Sequence, residues 1–281
     1  MQQRILSVCV PAERSGQSVR EILRGELEIS AGLLNTLKWE RAILRGDAPV
    51  NLSQRAQAGD LLFVRLPNDG EAARDCPLVV WQDQDFYVLE KDGYTACHGA
   101  RDKGDETVAS LLGAPVFYPL NRLDRSTSGL MVCGKNAFIT DRLRQLLHSD
   151  AFERRYLAIT TGYPPQDAGS IALPVYRDGD AHRRIVDARG QEALTEYRVL
   201  RRHAGRALVE VRLHTGRTHQ IRLHFSALGC PLLGDWLYGG DTTAGLERVA
   251  LHSSRIRLVH PLNGQVLTFC SALPDELAKF V

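Results

Sequence analysis

The sequence predicts an α+β protein: a small helix–helix–strand domain followed by a larger domain with a mixed, largely antiparallel sheet and flanking helices. Three observations predict it. From residue 78 onward, short runs of β-branched and aromatic residues follow one another. Helical periodicity interrupts those runs without alternating with them regularly, which argues against a doubly wound nucleotide fold. The polar stretch PNDGEAARDCP supplies a linker, giving expected bounds of 1–67, 68–77 and 78–281.

In the first part, Val19, Ile22 and Leu23 sit at helical spacing behind Ser18, a candidate N-cap, and Ser30 can cap a second helix carrying Leu33, Leu34 and Leu37. AIL (42–44), a turn at Arg45-Gly46-Asp47 and GDLLFVRL (59–66) read as strands. Lys38, Arg41 and Arg45 cluster at the end of the second helix and in the turn behind it. In the second part LVVW (78–81), FYVLE (86–90), VFYPL (116–120), LMVCG (130–134) and YLAITTG (156–162) read as strands. EALTEYRVL (192–200) and ALVEVRLH (207–214) form a further hairpin around His203-Ala204-Gly205. NAFITDRLRQLLH (136–148) and THQIRLHFSAL (218–228), the latter closed by Gly229, read as helices.

Composition excludes several classes of function. Hydrophobic content of 44% with 24% charge suits a packed soluble core. No apolar run approaches the ~20 residues a membrane helix needs, and the polar MQQR start is no signal peptide, so a cytoplasmic protein is expected, with monomer as the default. The six cysteines form no C-x-x-C pair and read as reduced thiols, not a disulfide frame or a zinc site. No glycine-rich nucleotide loop occurs, so no cofactor and no metal are expected. Net charge is only +2, but residues 141–222 carry fifteen arginines against ten acids and no lysine. Arginine's planar fork suits phosphate groups and base stacking. A generally arginine-rich composition would produce the same count.

NRLDRSTSGL (121–130) holds the lone carboxylate of Asp124 between Arg122 and Arg125. The arginines would keep Asp124 ionised, Ser126, Thr127 and Ser128 can bond the loop's own amides, and Gly129 relieves crowding where the next strand begins. Taken alone, the stretch reads better as a salt-bridged turn than as a reaction centre. TGRTHQIR (215–222) shifts the balance. It leaves a strand, turns at Gly216 and opens a helix on which Thr218, His219 and Arg222 share one face and Ile221, Phe225 and Leu228 the other. So dense a polar face is costly to bury unless it binds an anion or a carboxylate. His214, His219 and His224 lack zinc-pair spacing; His219 reads as a structural hydrogen-bonding residue and the other two as incidental.

NRLDRSTSGL, RRYLAITTG, LHTGRTHQIRLH, GCPLLGDWLYGG and LHSSRIRLVHPLNG, in that order, resemble the motif series of the RluA-type RNA pseudouridine synthases over roughly 78–275. Residues 16–65 resemble, more loosely, the alpha-L type RNA-binding module shared with a ribosomal small-subunit protein. The resemblance implies an RNA substrate, ribosomal or transfer, isomerised without a cofactor. It assigns Asp124 as the essential aspartate and Tyr156 as the ring that stacks on uracil and serves as base at the ribose 2-prime carbon. Arg222 becomes the partner of Asp124, Arg122 the residue filling the gap left by the flipped base, and Leu251 a pocket wall. Arg125, Thr127, Arg217 and His219 complete the expected substrate-binding set, and Asp235 and Tyr238 are expected to fix a loop.

Two departures stand out. Asn121 replaces a histidine common in the family, and the loop written there as K-P-x-G and V-H-P is here Lys91-Asp92-Gly93 and Cys97-His98-Gly99, without either proline. A non-catalytic RNA-binding protein and a glycoside hydrolase are the rival readings. The second needs another carboxylate near Asp124.

Overall fold

The computed structural model describes residues 3–72, 76–99, 106–147, 149–179 and 183–281. Residues 73–75 of the expected linker and His148 at the end of the expected helix lie outside them. The chain begins with β1 (Ile5–Cys9), α1 (Val19–Glu26), α2 (Ala31–Trp39), β2 (Ile43–Arg45), β3 (Ala48–Pro49) and β4 (Leu61–Arg65). The four strands make one sheet in the order β1-β4-β2-β3. Ser18 and Glu21 form a reciprocal capping box at the start of α1, and the Ser30 hydroxyl accepts from Leu33 N–H at the start of α2.

The second part continues with β5 (Val79–Gln82), β6 (Phe86–Lys91), α3 (Val108–Leu112), β7 (Tyr118–Pro119), β8 (Ser128–Gly134) and α4 (Ala137–Leu146). Next come β9 (Phe152–Thr161), β10 (Ala168–Ala172), β11 (Val175–Arg177), β12 (Arg184–Val186), β13 (Leu194–His203) and β14 (Arg206–Leu213). The chain ends with α5 (Gln220–Ala227), β15 (Leu251–Val259), β16 (Val266–Cys270) and α6 (Asp275–Ala278). The main sheet runs β10-β13-β14-β9-β15-β8-β6-β5, with β16 paired to β15 and β7 to β8. Among the strand pairs of the described residues in this sheet, only β15 with β8 is parallel. β11 and β12 stand apart as a small hairpin.

β6 and β8 read as continuous apolar runs because both of their faces are covered. Phe86, Val88, Leu130 and Val132 point into a core shared with α4 and with Leu34 and Leu37 of α2. Tyr87, Leu89, Met131 and Cys133 point the other way, into a core with Val108 of α3 and Ile221 and Phe225 of α5. The two parts are joined by more than a linker. Arg142 of α4 donates to Leu27 O (2.9 Å) and pairs with Glu28, and Gly70 N–H donates to Lys135 O (3.0 Å). At the parallel crossing Ser253 lies opposite Gly129, whose φ is 104°. A Cβ there would run into the Ser253 backbone, so only glycine lets β8 start so close to β15.

Candidate active site

Asp124 sits in the connection between β7 and β8, where a turn closed by Thr127 N–H onto Asp124 O (3.0 Å) presents its carboxylate to a cavity of about 950 Å³. Every residue singled out as catalytic or substrate-binding lines that cavity: Asp124, Tyr156 and Arg222, then Arg122, Arg125 and Thr127, then Arg217, His219 and Leu251. They come from the β7–β8 loop, β9, the start of α5 and the start of β15. Four more arginines, Arg144, Arg154, Arg177 and Arg184, line it as well, and among the described residues Asp124 is the only acid in the lining.

The loop is held from several sides. Asn121, 5% exposed, accepts from Val132 N–H through Oδ1 at 2.9 Å, pinning the loop to the middle of β8. The Cys97 thiol donates to Leu123 O (3.1 Å) and accepts from Leu123 N–H (3.4 Å). Lys91, buried, donates to the carbonyls of Asp92 (2.6 Å), Thr95 (2.8 Å) and Arg125 (2.9 Å), and burial lowers its pKa to about 8. The loop that lacks the family's prolines is shaped instead by Asp92, which accepts from Tyr94 N–H (2.8 Å) and from the N–H and hydroxyl of Thr95 (2.7 and 3.0 Å). Of the three loop hydroxyls, Ser128 does not bond the loop: its Oγ lies 2.9 Å from His252 Nδ1 on the neighbouring strand.

Arg222 is the hinge of the electrostatics. Its Nε and one terminal nitrogen each donate to the two oxygens of Asp235 at 2.8 Å, and the other terminal nitrogen reaches Asp124 Oδ2 at 3.3 Å. Asp235 is fully buried and Arg222 is 5% exposed. Burial works against the guanidinium charge, but Asp235 and then Asp124 outweigh it and raise the Arg222 pKa. Asp235 Oδ1 also accepts from Leu237 and Tyr238 N–H (3.2 and 3.3 Å), so it fixes its loop as expected and, beyond the expectation, aims Arg222.

The start of α5 differs from the sequence reading. The helix begins at Gln220, and His219 precedes it with φ 59°, a left-handed conformation uncommon outside glycine. Thr218 is therefore not on the helix and shares no helical face with Arg222. The cause is the Gln220 amide, which turns back to stitch the preceding loop. Its oxygen accepts from the Thr215 hydroxyl (2.8 Å) and Arg217 N–H (3.0 Å), and its nitrogen donates to Leu194 O (3.1 Å) and Thr195 Oγ1 (2.9 Å). His219 is thereby thrown toward the site, with Nδ1 3.1 Å from the Tyr238 hydroxyl and Nε2 3.7 Å from Asp124 Oδ2. Burial lowers its pKa despite the pull of Asp124, so the ring is neutral at pH 7. His224, read as incidental, is fully buried with Nε2 2.9 Å from Leu173 O, a structural bond between α5 and the segment before β11.

Tyr156, on β9 opposite Val211 and Ser253, is 4% exposed, and burial raises the pKa of its phenol. The group with metal-ligand proximity among the described residues, Asp83, Asp85 and His260, lies elsewhere. His260 Nδ1 accepts from Leu262 and Asn263 N–H (3.2 and 3.4 Å), which places the ring proton on Nε2, facing Asp83 Oδ2 at 2.9 Å. A ring so bonded has no lone pair to offer a metal from Nε2.

Comparison with known proteins bears on the family of the chain. Residues 85–227 match the RNA pseudouridylate synthase family, a stretch running from β6 to the end of α5. The chain is 32% identical to the uncharacterized RNA pseudouridine synthase YjbO of Bacillus subtilis, over 92% of this chain and 96% of that protein. It is 29% identical to the ribosomal large subunit pseudouridine synthase D of Yersinia pestis, over 100% of this chain and 94% of that protein. Among solved structures, human RNA pseudouridylate synthase domain containing 1 superposes with a TM-score of 0.58 at 25% identity, covering 73% of this chain and 85% of that one.

Proposed function

Because the chain belongs to the RNA pseudouridylate synthase family, we propose that it is an RluA-type enzyme acting through Asp124 on specific uridines of structured ribosomal or transfer RNA. That it is an RNA pseudouridine synthase, an isomerase, follows from the family and its relatives. The observation that carries the Asp124 assignment is one carboxylate, paired to Arg222, in a cavity otherwise lined by cationic, neutral polar and apolar side chains.

Uridine must first leave its stack, at a cost of a few kcal/mol, and the arginine-lined cavity offers its phosphates compensation. Tyr156 supplies a ring for the uracil to stack on, and Leu251 an apolar wall. Asp124 then either adds to the anomeric carbon as the bond to N1 breaks, or stabilises charge there while the 2-prime proton leaves to give a glycal. The freed uracil turns and its C5 bonds to the anomeric carbon as the bond to Asp124 breaks, or, from the glycal, as the 2-prime carbon regains its proton; the C5 proton is then lost and N1 takes one up. Atoms balance within the nucleotide, so the reaction is redox-neutral. The raised phenol pKa keeps Tyr156 protonated at neutral pH, which favours stacking as its first role; as a base it would have to shed its own proton first. Arg222 pairs with Asp124 and aims it, while Arg122, Arg125, Thr127, Arg217 and His219 position the RNA. Residues 1–67 serve as an alpha-L type RNA-binding module, residues 78–281 as the catalytic domain, and the enzyme works as a cytoplasmic monomer.

The test is pseudouridine mapping of total RNA from a strain lacking the protein, complemented with parent or Asp124→Asn. A site lost in the deletion, regained with the parent and not with the variant supports the reading. Restoration by Asp124→Asn at the parent's rate refutes it.

A further inference from the structure

Arg248 stands three residues before the LHSSRIRLVHPLNG motif, between α5 and β15. It is 2% exposed and is not among the residues lining the cavity. One terminal nitrogen faces three carbonyls, donating to Ser126 O (3.4 Å), Val249 O (3.2 Å) and Leu251 O (3.3 Å). Its Nε donates to Glu276 Oε1 of α6 at 2.7 Å, and among the described residues Glu276 is its one ion-pair partner. Glu276 Oε2 in turn accepts from the Tyr94 hydroxyl at 2.8 Å. A Cβ on Gly93 would run into the Arg248 side chain, so glycine lets the loop after β6 lie against it.

These contacts converge on the reaction centre. Ser126 follows Asp124 by two residues in the same turn, and Leu251 lines the cavity. One guanidinium thus holds two sides of the site, which a fork with several fixed donors can do and a single ammonium cannot. A cation so buried is held in place only while it is paired, and the counter-charge comes from α6. A second line runs beside the first. Ser271, just after β16, is tied by its hydroxyl to Glu90 of β6, and its carbonyl lies 3.4 Å from His252 Nε2. His252 Nδ1 lies 2.9 Å from Ser128 Oγ. Both lines start after β16 and end in the stretch that carries Asp124.

We propose that Arg248 and Glu276 are positioning residues for Asp124, so that the segment after β16 sets the geometry of a site it does not line. The reaction they serve rests on the pseudouridine synthase reading. Without Glu276, Arg248 loses its counter-charge and turns toward water. Ser126 O and Leu251 O then lose a donor, and the Asp124 turn shifts against the Leu251 wall. The effect falls on the step in which Asp124 meets the sugar, because displacing a reacting group by about an ångström lowers the rate of the chemical step. RNA affinity is spared, since Arg144, Arg154, Arg177 and Arg217 stand on α4, β9, β11 and the loop before α5.

The test uses the full chain and pseudouridine formation on deproteinised RNA, with kcat referred to the folded fraction measured by circular dichroism. Glu276→Ala lowers kcat about tenfold and leaves KM within about twofold of the parent. Glu276→Gln, which keeps an oxygen for Arg248 Nε, stays within about threefold of the parent kcat. Arg248→Lys keeps the charge but has one nitrogen for four acceptors, and it falls with Glu276→Ala. Hydrogen exchange read by mass spectrometry needs no catalysis: in Glu276→Ala the amides of 122–128 exchange about tenfold faster, while those of β13 and β14 stay within about twofold. Should the parent form no pseudouridine, the catalytic reading falls and the exchange result alone decides whether Glu276 holds the turn. The proposal is overturned if Glu276→Ala or Arg248→Lys keeps the parent kcat, if Glu276→Ala raises KM alone, if Glu276→Gln is as impaired as Glu276→Ala, or if 122–128 exchanges as in the parent.

Discussion

Asp235→Asn separates what holds the site together from what reacts. In the parent, Arg222 gives two of its three nitrogens to Asp235 at 2.8 Å and one to Asp124 at 3.3 Å. Asp235 is fully buried, so its removal leaves a guanidinium in the core without its main counter-charge. Breaking a buried pair by removing one partner costs about 3–5 kcal/mol. Asparagine keeps one acceptor oxygen, which places the expected loss near the lower end, about 3 kcal/mol, against a typical total of roughly 5–15 kcal/mol. At this chain length that is a fall in Tm of roughly 6–12 °C. Released from Asp235, Arg222 swings toward Asp124 or away from it, and an ångström-scale misplacement of that kind costs on the order of 100-fold in kcat.

Urea unfolding followed by circular dichroism measures the first effect, and pseudouridine release from a modified RNA the second. A control variant makes the reasoning refutable. Replacing both partners, Arg222→Met with Asp235→Leu, removes the orphaned charge and recovers about 1 kcal/mol or more relative to Asp235→Asn, yet stays inactive. If Asp235→Asn costs less than about 1 kcal/mol, or the double replacement is no more stable than the single one, Asp235 is not the anchor of Arg222.

Three further outcomes are expected. Lys91 has its pKa lowered to about 8 by burial, so between pH 8 and 10.5 the folded state binds fewer protons than the unfolded one. The penalty for burying its charge is present below pH 8 and relieved as pH rises; the stability of the parent minus that of Lys91→Met therefore increases across this window, by up to about 3 kcal/mol in urea melts at stepped pH. No increase would remove the burial argument. Asn121→Ala leaves Val132 N–H unsatisfied inside the sheet and costs about 1–3 kcal/mol in the same assay. Gly129→Ala, forced against the Ser253 backbone at φ 104°, costs roughly 3 kcal/mol or fails to fold, and soluble yield with a thermal melt distinguishes it from a neutral change.

Much of the catalytic region was legible because each long element carries its own period. β6 and β8 were readable as apolar runs, and Asp124, Tyr156 and Arg222 fell in motifs whose order matched a family. What escaped had no local signature. Arg144, Arg154, Arg177 and Arg184 line the cavity from four elements, and an arginine on a strand looks the same whether it faces solvent or a site. β11 and β12 are three residues each, too short for a period of two to show. β15 was quoted as a motif and not as a strand because its start, LHSS, is polar; those polar side chains are buried, His252 against Ser128. The start of α5 was misread because the cap of a helix is normally sought in a side chain before it, whereas here Gln220, inside it, reaches back. Asn121, a departure with no evident meaning in sequence, is a backbone anchor that needs no titratable group.

The proposed reaction asks one carboxylate to suffice, and the pairing of Arg222 bears on why it would. A glycoside hydrolase needs a second acid facing the sugar across a gap of about 5–10 Å. The acid joined to Asp124 through the shared arginine is Asp235, and it is unavailable: fully buried, both oxygens occupied by Arg222, and absent from the cavity lining. Asp235 absorbs most of the guanidinium's hydrogen-bonding capacity and leaves a single 3.3 Å contact for Asp124. Asp124 is thereby aimed by one contact, its side chain 26% exposed. A fully committed ion pair would hold the carboxylate too tightly to meet a sugar carbon, and an unpaired one would be poorly placed among so many arginines. On the proposed mechanism, sharing one arginine between a buried acid and the acid that meets the sugar answers both demands, and it predicts that the catalytic loss in Asp235→Asn exceeds any loss of RNA affinity, because the residues expected to contact RNA are untouched.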